Sequence, residues 1–133
     1  MSNQRLKEIA PAVLRWGLAI VLFWFAYHQL TSASQWARMI PEWTSILFSN
    51  PEKVVYLNAV AEIILGILLL IGLWTRIVAI IIALHLAQIT FTVVGGLSNP
   101  TGIRDFGLTV AAISIALNGS DKFSLDSKLK KNS

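Results

Sequence analysis

No cysteine occurs anywhere in the 133 residues. That excludes disulfides, thiolate metal sites and a thiol redox centre carried by the chain itself. Charge is also scarce: charged residues make up 14% of the chain and hydrophobic ones 55%. A soluble domain carries about 25% charged and about 45–50% apolar residues. With a mean hydropathy of +0.64, there is more apolar surface than one small core can hide, so lipid is the expected solvent for much of it. The net charge of +4 comes with neither a basic face nor a soluble domain to bear one, which excludes a nucleic-acid partner.

What is present is long apolar runs. A membrane helix needs roughly 20 mostly apolar residues to cross a hydrocarbon core of about 30 Å. Four stretches are read as spans: 12–30, 54–74, 77–94 and 103–117. The last is short, roughly 22 Å at 1.5 Å per residue, and carries Arg104 and Asp105 at its start. The joints agree with these limits. Trp74 and Arg76 mark an interfacial turn, residues 95–102 form a Gly/Asn/Pro breaker cluster, and Asn118-Gly119 supplies C-cap chemistry. The expected fold is all-α: a single domain over 1–133, a four-transmembrane-helix bundle with a basic cytoplasmic tail at 119–133. The apolar run of the first span is too long for a cleaved signal peptide.

The segment between the first two spans differs from the other joints. Between Thr31 and Lys53, Trp36, Met39, Ile40, Trp43, Ile46, Leu47 and Phe48 stand among polar residues, and Pro41 and Pro51 break the segment. This is the pattern of an interfacial amphipathic outer loop that closes the bundle; a lid over a cavity is the sharper alternative. Lysine and arginine set the orientation. Arg5, Lys7, Arg76, Lys122, Lys128, Lys130 and Lys131 would share one side, opposite Arg38 and Lys53. Both termini are therefore expected in the cytoplasm and the long loop outside, in a multi-pass cell-membrane protein. Arg15, near the cytoplasmic face, would snorkel.

Several polar residues fall where a bilayer tolerates them poorly. A charge at the bilayer centre costs about 2.5–3.5 kcal/mol on insertion scales. Glu62 lies about 12 Å below the outer face, with Asn58 and Gly66 on its helix face. His85, Gln88 and Thr92 share a face of the third span, and Trp24 and His28 a face of the first. Arg104 and Asp105 open the fourth, ahead of the small residues Thr109, Ala112 and Ala116, which permit close helix contact. A polar layer is expected in the outer half of the bundle, with Glu62 paired to Arg104. Such a layer is either structural glue or a ligand and proton-relay site built from Glu62, His85, Gln88, Arg104, Asp105, His28, Asn58 and Trp24. Haem is disfavoured, because His28 and His85 would lie at roughly 24 and 12 Å from the cytoplasmic face, whereas the axial ligands of one iron share a level. No metal-ligand spacing is present.

Glu62-Ile63-Ile64-Leu65-Gly66 followed by Leu70-Ile71-Gly72-Leu73-Trp74-Thr75-Arg76 resembles the second-helix signature of the DoxX family. Arg104-Asp105, Asn118-Gly119 and Ser124-Leu125-Asp126 resemble its C-terminal pattern, and Trp24 and Ile40-Pro41-Glu42-Trp43 also fit, so the resemblance runs over nearly the whole chain. It implies a four-helix bundle in a prokaryotic cell membrane, linked by the family's name to quinone-coupled sulfur oxidation. On that resemblance the expected role is an accessory or quinone-linked subunit of a membrane oxidoreductase, with a quinone as cofactor and a redox protein or a second copy as partner. A non-catalytic scaffold or chaperone is the competing class. A small-solute or lipid transporter ranks below both, since no paired repeat is visible.

Overall fold

The apolar runs become helices whose ends coincide with the strongest local signals. The computed structural model describes residues 2–131, so the last two residues of the expected basic tail lie outside the described residues. The long helices are α1 (Asn3–Thr31), α3 (Pro51–Ile71), α4 (Thr75–Gln88) and α5 (Pro100–Asn118); α2 (Ala33–Ala37) and α6 (Leu125–Lys131) are short. A π-helical turn over Ile89–Val93 extends α4, and a 3-10 turn spans Glu42–Ile46. Among the described residues there is no strand.

Capping explains the boundaries. Asn50 accepts the Glu52 N–H at 3.0 Å ahead of Pro51, and Asn99 accepts the Gly102 N–H at 2.9 Å ahead of Pro100. Both helices thus start with an Asn cap and a proline in the first turn, where its missing N–H costs nothing. Helix α3 stops at Gly72, whose φ of 76° is open to glycine at little cost. Its N–H and that of Leu73 return to the carbonyl of Leu68, satisfying the helix end.

Asn3–Thr31, Pro51–Ile71 and Thr75–Val93 are each long and apolar enough to cross a membrane. Helix α5, which starts Pro-Thr-Gly and carries Arg104 and Asp105, is not among them, so the expectation of four such helices is met for three. Their outward faces are apolar, as at Ile20, Leu57, Ile64 and Leu84. The fold is that of a membrane protein whose solvent is lipid. Helix α1 packs along α3 and α4 along α5, and lighter contacts join α1 to α5 and α3 to α4. Leu18, Leu22, Leu69, Ile82 and Ile115 meet in the core, with Ala19, Ala79 and Ala112 letting the backbones approach.

The end that gathers Arg15, the α3–α4 turn and the C-terminal segment corrects one expectation. Arg15 does not snorkel: it is 0% exposed. It lies on the buried stripe of α1, between Ala12 and Leu18, so its guanidinium points inward and must be paired there. Its Nε donates to Asp121 at 2.7 Å, and its Nη1 donates to the carbonyls of Leu69 and Leu70 at 2.8 and 2.6 Å. The segment from Gly119 onward is docked at its start, while residues 128–131 are exposed. Asp121 and Ser124 are buried, and the Asp126 N–H donates to the carbonyl of Gly72. The Asp126 carboxylate accepts the N–H groups of Trp74 and Thr75 at 2.7 and 2.8 Å, capping α4 from a distant part of the chain.

Candidate functional site

At the opposite end lies a cavity of about 540 Å³. Its floor comes from α1, α3 and α5, and one wall comes from the end of α4 and the π turn, through Leu86, Ile89 and Val93. Its roof is the α1–α3 connection, which turns Trp36, Ile40, Trp43, Leu47 and Phe48 toward the opening. The same connection leaves Ile46, which does not line the cavity, 85% exposed. It therefore covers the cavity with one face and leaves Ile46 to its surroundings on the other.

Glu62, 2% exposed, holds the polar end of the cavity together. Gln29 Nε2 donates to its Oε2 at 2.8 Å, and Asn58 Nδ2 donates to its Oε1 at 3.0 Å. Asn58 also donates to Gln29 Oε1 at 2.7 Å, closing a three-residue network between α1 and α3. His85 Nε2 stands 3.3 Å from Glu62 Oε1, behind the carboxylate and off the cavity surface. A membrane-buried carboxylate is costly unless its oxygens find donors; here two amides and an imidazole provide them.

The expected Glu62–Arg104 pair does not form. Arg104 donates instead to its neighbour Asp105, with Nη2 2.9 Å and Nε 3.0 Å from Oδ1. Its guanidinium lies 5.0 Å from the Phe25 ring centroid, in cation–π range. The physical reason is occupancy: the Glu62 oxygens are already engaged from α1, α3 and α4, and the Arg104 side chain is half exposed at the rim. Both residues nevertheless line the one cavity.

Of the expected site residues, Glu62, Asn58, Gln88, Arg104 and Asp105 line the cavity, and His85 joins it through Glu62. Gln88 is exposed and donates to Thr92 at 2.6 Å. His28 and Trp24 stand apart, off the cavity lining, packed on each other with ring centroids 4.0 Å apart and ring planes tilted by 47°. The residue the sequence reading missed is Gln29. The buried positions of α1 run Ala12, Arg15, Leu18, Ala19, Leu22, Phe25, Ala26, Gln29, so polar side chains on an otherwise apolar stripe flag both Arg15 and Gln29. Trp24 and His28 are each one position off that stripe. Among the described residues no group of three His, Asp or Glu side chains is placed to hold a metal.

The family model of DoxX matches residues 10–95, well over half of the chain. The chain belongs to the DoxX family. The DoxX match takes in α1, the roof, α3 and α4 with its π turn, and so includes Gln29, Asn58, Glu62 and His85. It stops before α5, a narrower extent than the resemblance in sequence suggested, so Arg104 and Asp105 come from outside the matched region. No curated protein and no solved structure matches the chain.

Proposed function

We propose that this DoxX protein is a ligand-binding accessory subunit of a membrane oxidoreductase system, and that its cavity receives the head of a membrane-dissolved quinone. One observation carries the reading: an aromatic-walled cavity of about 540 Å³ ends in a buried cluster of carboxylate and amide groups. Ligand pockets are mostly apolar with a few converging polar groups, and roughly 300–1,000 Å³ is their usual size. Phe25, Trp36, Trp43 and Phe48 suit the faces of a flat ring, while Asn58, Glu62 and Asp105 suit its polar edge. When bound, such a group would supply the electron chemistry. The chain's own residues would orient its head, exclude water beneath the roof and hold a proton at Glu62, with His85 behind it as the next acceptor or donor.

In the topology that goes with this reading, α5 is a fourth span, the termini are cytoplasmic and the roof faces outward. The basic residues support it, since Arg5, Lys7, Arg76, Lys122 and Lys128 belong to the end opposite the cavity. The cysteine-free chain allows a clean test with Ser45→Cys and Ser120→Cys. A membrane-impermeant maleimide added to intact cells should label the first and reach the second only after permeabilisation.

The ligand reading is tested by native mass spectrometry of protein extracted gently from its own membranes. The expected result is a co-purifying quinone that is lost in Glu62→Gln while the fold is kept. A second reading, a scaffold without chemistry, draws on the fact that the Gln29–Asn58–Glu62 network ties α1 to α3. Protein that carries only phospholipid or a protein partner would favour it.

A further inference from the structure

A second recess lies at the end opposite the cavity, where α1 begins and α5 ends, and holds about 350 Å³. One side of it is apolar, formed by Ala10, Pro11 and Leu14 of α1 and Ile115 of α5; the other is polar, formed by Lys7, Ser114, Asn118 and Asp121. Lys7 and Leu14 are about 10 Å apart along the helix axis, the step from a lipid headgroup to the first carbons of its chains. Charge there is unbalanced. Asp121 is spent: Arg15 donates to both of its oxygens, at 2.7 and 3.2 Å, and the Phe123 N–H donates to Oδ1 at 2.9 Å. Glu8 is held by Lys122 at 3.0 Å. Lys7 has no ion-pair partner among the described residues, and neither has Arg76. Arg76 Nε donates to the carbonyl of Ala116 at 3.0 Å, and its Nη2 lies 2.6 Å from where a Cβ on Gly119 would stand. A guanidinium there offsets the partial negative charge of the α5 C-terminus, which would otherwise repel an anion. With Arg15 and Asp121 cancelling, a surplus of positive charge remains.

We infer that this recess binds one anionic phospholipid, with the phosphate at Lys7 and an acyl chain along Leu14 and Ile115. Basic pockets between membrane helices are known places for such headgroups. The polar groups beside Lys7 are free to take part. Ser114 Oγ makes no hydrogen bond among the described residues, and Asn118 Nδ2 makes only a 3.3 Å contact with the Gly119 carbonyl. Pro11, inside α1 and without an N–H, leaves the Lys7 carbonyl lacking its ladder donor; a glycerol headgroup brings hydroxyls as well as phosphate. The apolar side commits the site to a lipid. A free phosphate would gain one exposed ammonium, worth little in water, whereas a lipid chain also covers the apolar wall. A zwitterionic lipid would carry its own cation to a place already in surplus. Since only light contacts join α1 to α5, a lipid seated there ties the two helices together beside the Arg15–Asp121 pair, and by binding only the folded form it stabilises the bundle. The site is separate from the cavity and stands whether or not the cavity holds a quinone.

The test uses the full chain, delipidated in a mild non-ionic detergent and titrated with three probes: phosphatidylglycerol, phosphatidylcholine with the same chains, and inorganic phosphate. Native mass spectrometry counts the bound molecules, and the thermal midpoint reports their effect on the fold. One phosphatidylglycerol is expected to stay bound and to raise the midpoint, while the other two probes do neither at equal concentration. Lys7→Gln should weaken phosphatidylglycerol binding about fivefold. Ala10→Phe, at an exposed position of the apolar side, should block the site without changing a charge. Lys128→Gln, at the same end of the protein but outside the recess, should leave the affinity unchanged. Equal binding of the two lipids would mean an unspecific lipid shell and overturns the proposal. So does an equal loss in Lys7→Gln and Lys128→Gln, which would mark a diffuse basic surface. Inorganic phosphate acting as well as phosphatidylglycerol would make this a soluble-anion site, and the lipid assignment would fall. The comparison of probes needs only the parent protein, so a variant that fails to fold cannot obscure the answer.

Discussion

Gln29 of α1 donates to Glu62 of α3 at 2.8 Å, and together with the bond from Asn58 to Gln29 it links the first two long helices at the level of the cavity. Both side chains are almost fully buried. Removing one partner of such a bond leaves the other desolvated, at a cost of about 1–3 kcal/mol. Gln29→Leu should therefore lower the thermal midpoint of the detergent-solubilised protein. Gln29→Glu should do worse, because it sets two carboxylates against each other. Arg104→Gln should change stability less than either, since Glu62 does not depend on it.

Arg15 and Asp121 form the second buried polar centre. Breaking a buried ion pair by removing one member costs about 3–5 kcal/mol, so Arg15→Met and Asp121→Leu should each destabilise strongly. The double variant should recover part of the loss. Recovery should stay incomplete, because the carbonyls of Leu69 and Leu70 also lose their donor. Denaturation midpoints of the four proteins in one detergent give the coupling directly.

Gly72 sits where a side chain has no room. A Cβ there would come 2.5 Å from Cβ of Ser124, at a backbone φ of 76°. Gly72→Ala should therefore loosen the docked segment from Gly119 to Lys131 and strain the α3 end. Limited proteolysis should cut that segment faster in the variant, with the thermal midpoint also lowered.

Asp126 should make part of the stability pH-dependent. Partial burial pushes its carboxyl up, but the N–H groups of Thr75 and Trp74 hold it down by more, and the net effect lies below the ordinary value of 3.8. For a group whose folded pKa is depressed, the stabilisation is fully present above the unfolded value and is lost as pH falls through the folded one. The loss belongs below about pH 4, and solvent screening keeps it modest. Asp126→Asn should be less stable than the parent at neutral pH, and the two should converge as the pH is lowered. Denaturation curves across that range check it.

How far the sequence could be read follows from particular residues. Glu62, Asn58 and Asp105 were legible because a polar group in an apolar helix needs a reason whichever way the helix is turned. The stop at Gly119 was legible because its chemistry is local, whereas the second span was carried to Trp74, past the true stop at Gly72. The partners were not. Arg104 reaches Asp105 instead of Glu62 because side-chain direction and prior occupancy decide a pairing, and neither is written in residue spacing. Arg15 looked peripheral by its distance from the helix start; its place on the buried stripe mattered more. His28 and Trp24 were grouped with the site by their shared helix face and their depth, and rotation about the α1 axis carries that face off the cavity lining. The π turn had no evident signal, yet its Ile89 and Val93 form part of the cavity wall.

The clasp between Arg15 and Asp121 also orders events in time. The two residues are 106 positions apart, and a ribosome adds about 5–20 residues per second. For several seconds or longer, a newly made first helix must carry an uncompensated guanidinium among apolar neighbours. Only a chain completed past Asp121 can neutralise it. A chain truncated before that point leaves Arg15 without its carboxylate partner. The clasp that fixes the first helix thus closes only once Asp121 has been made.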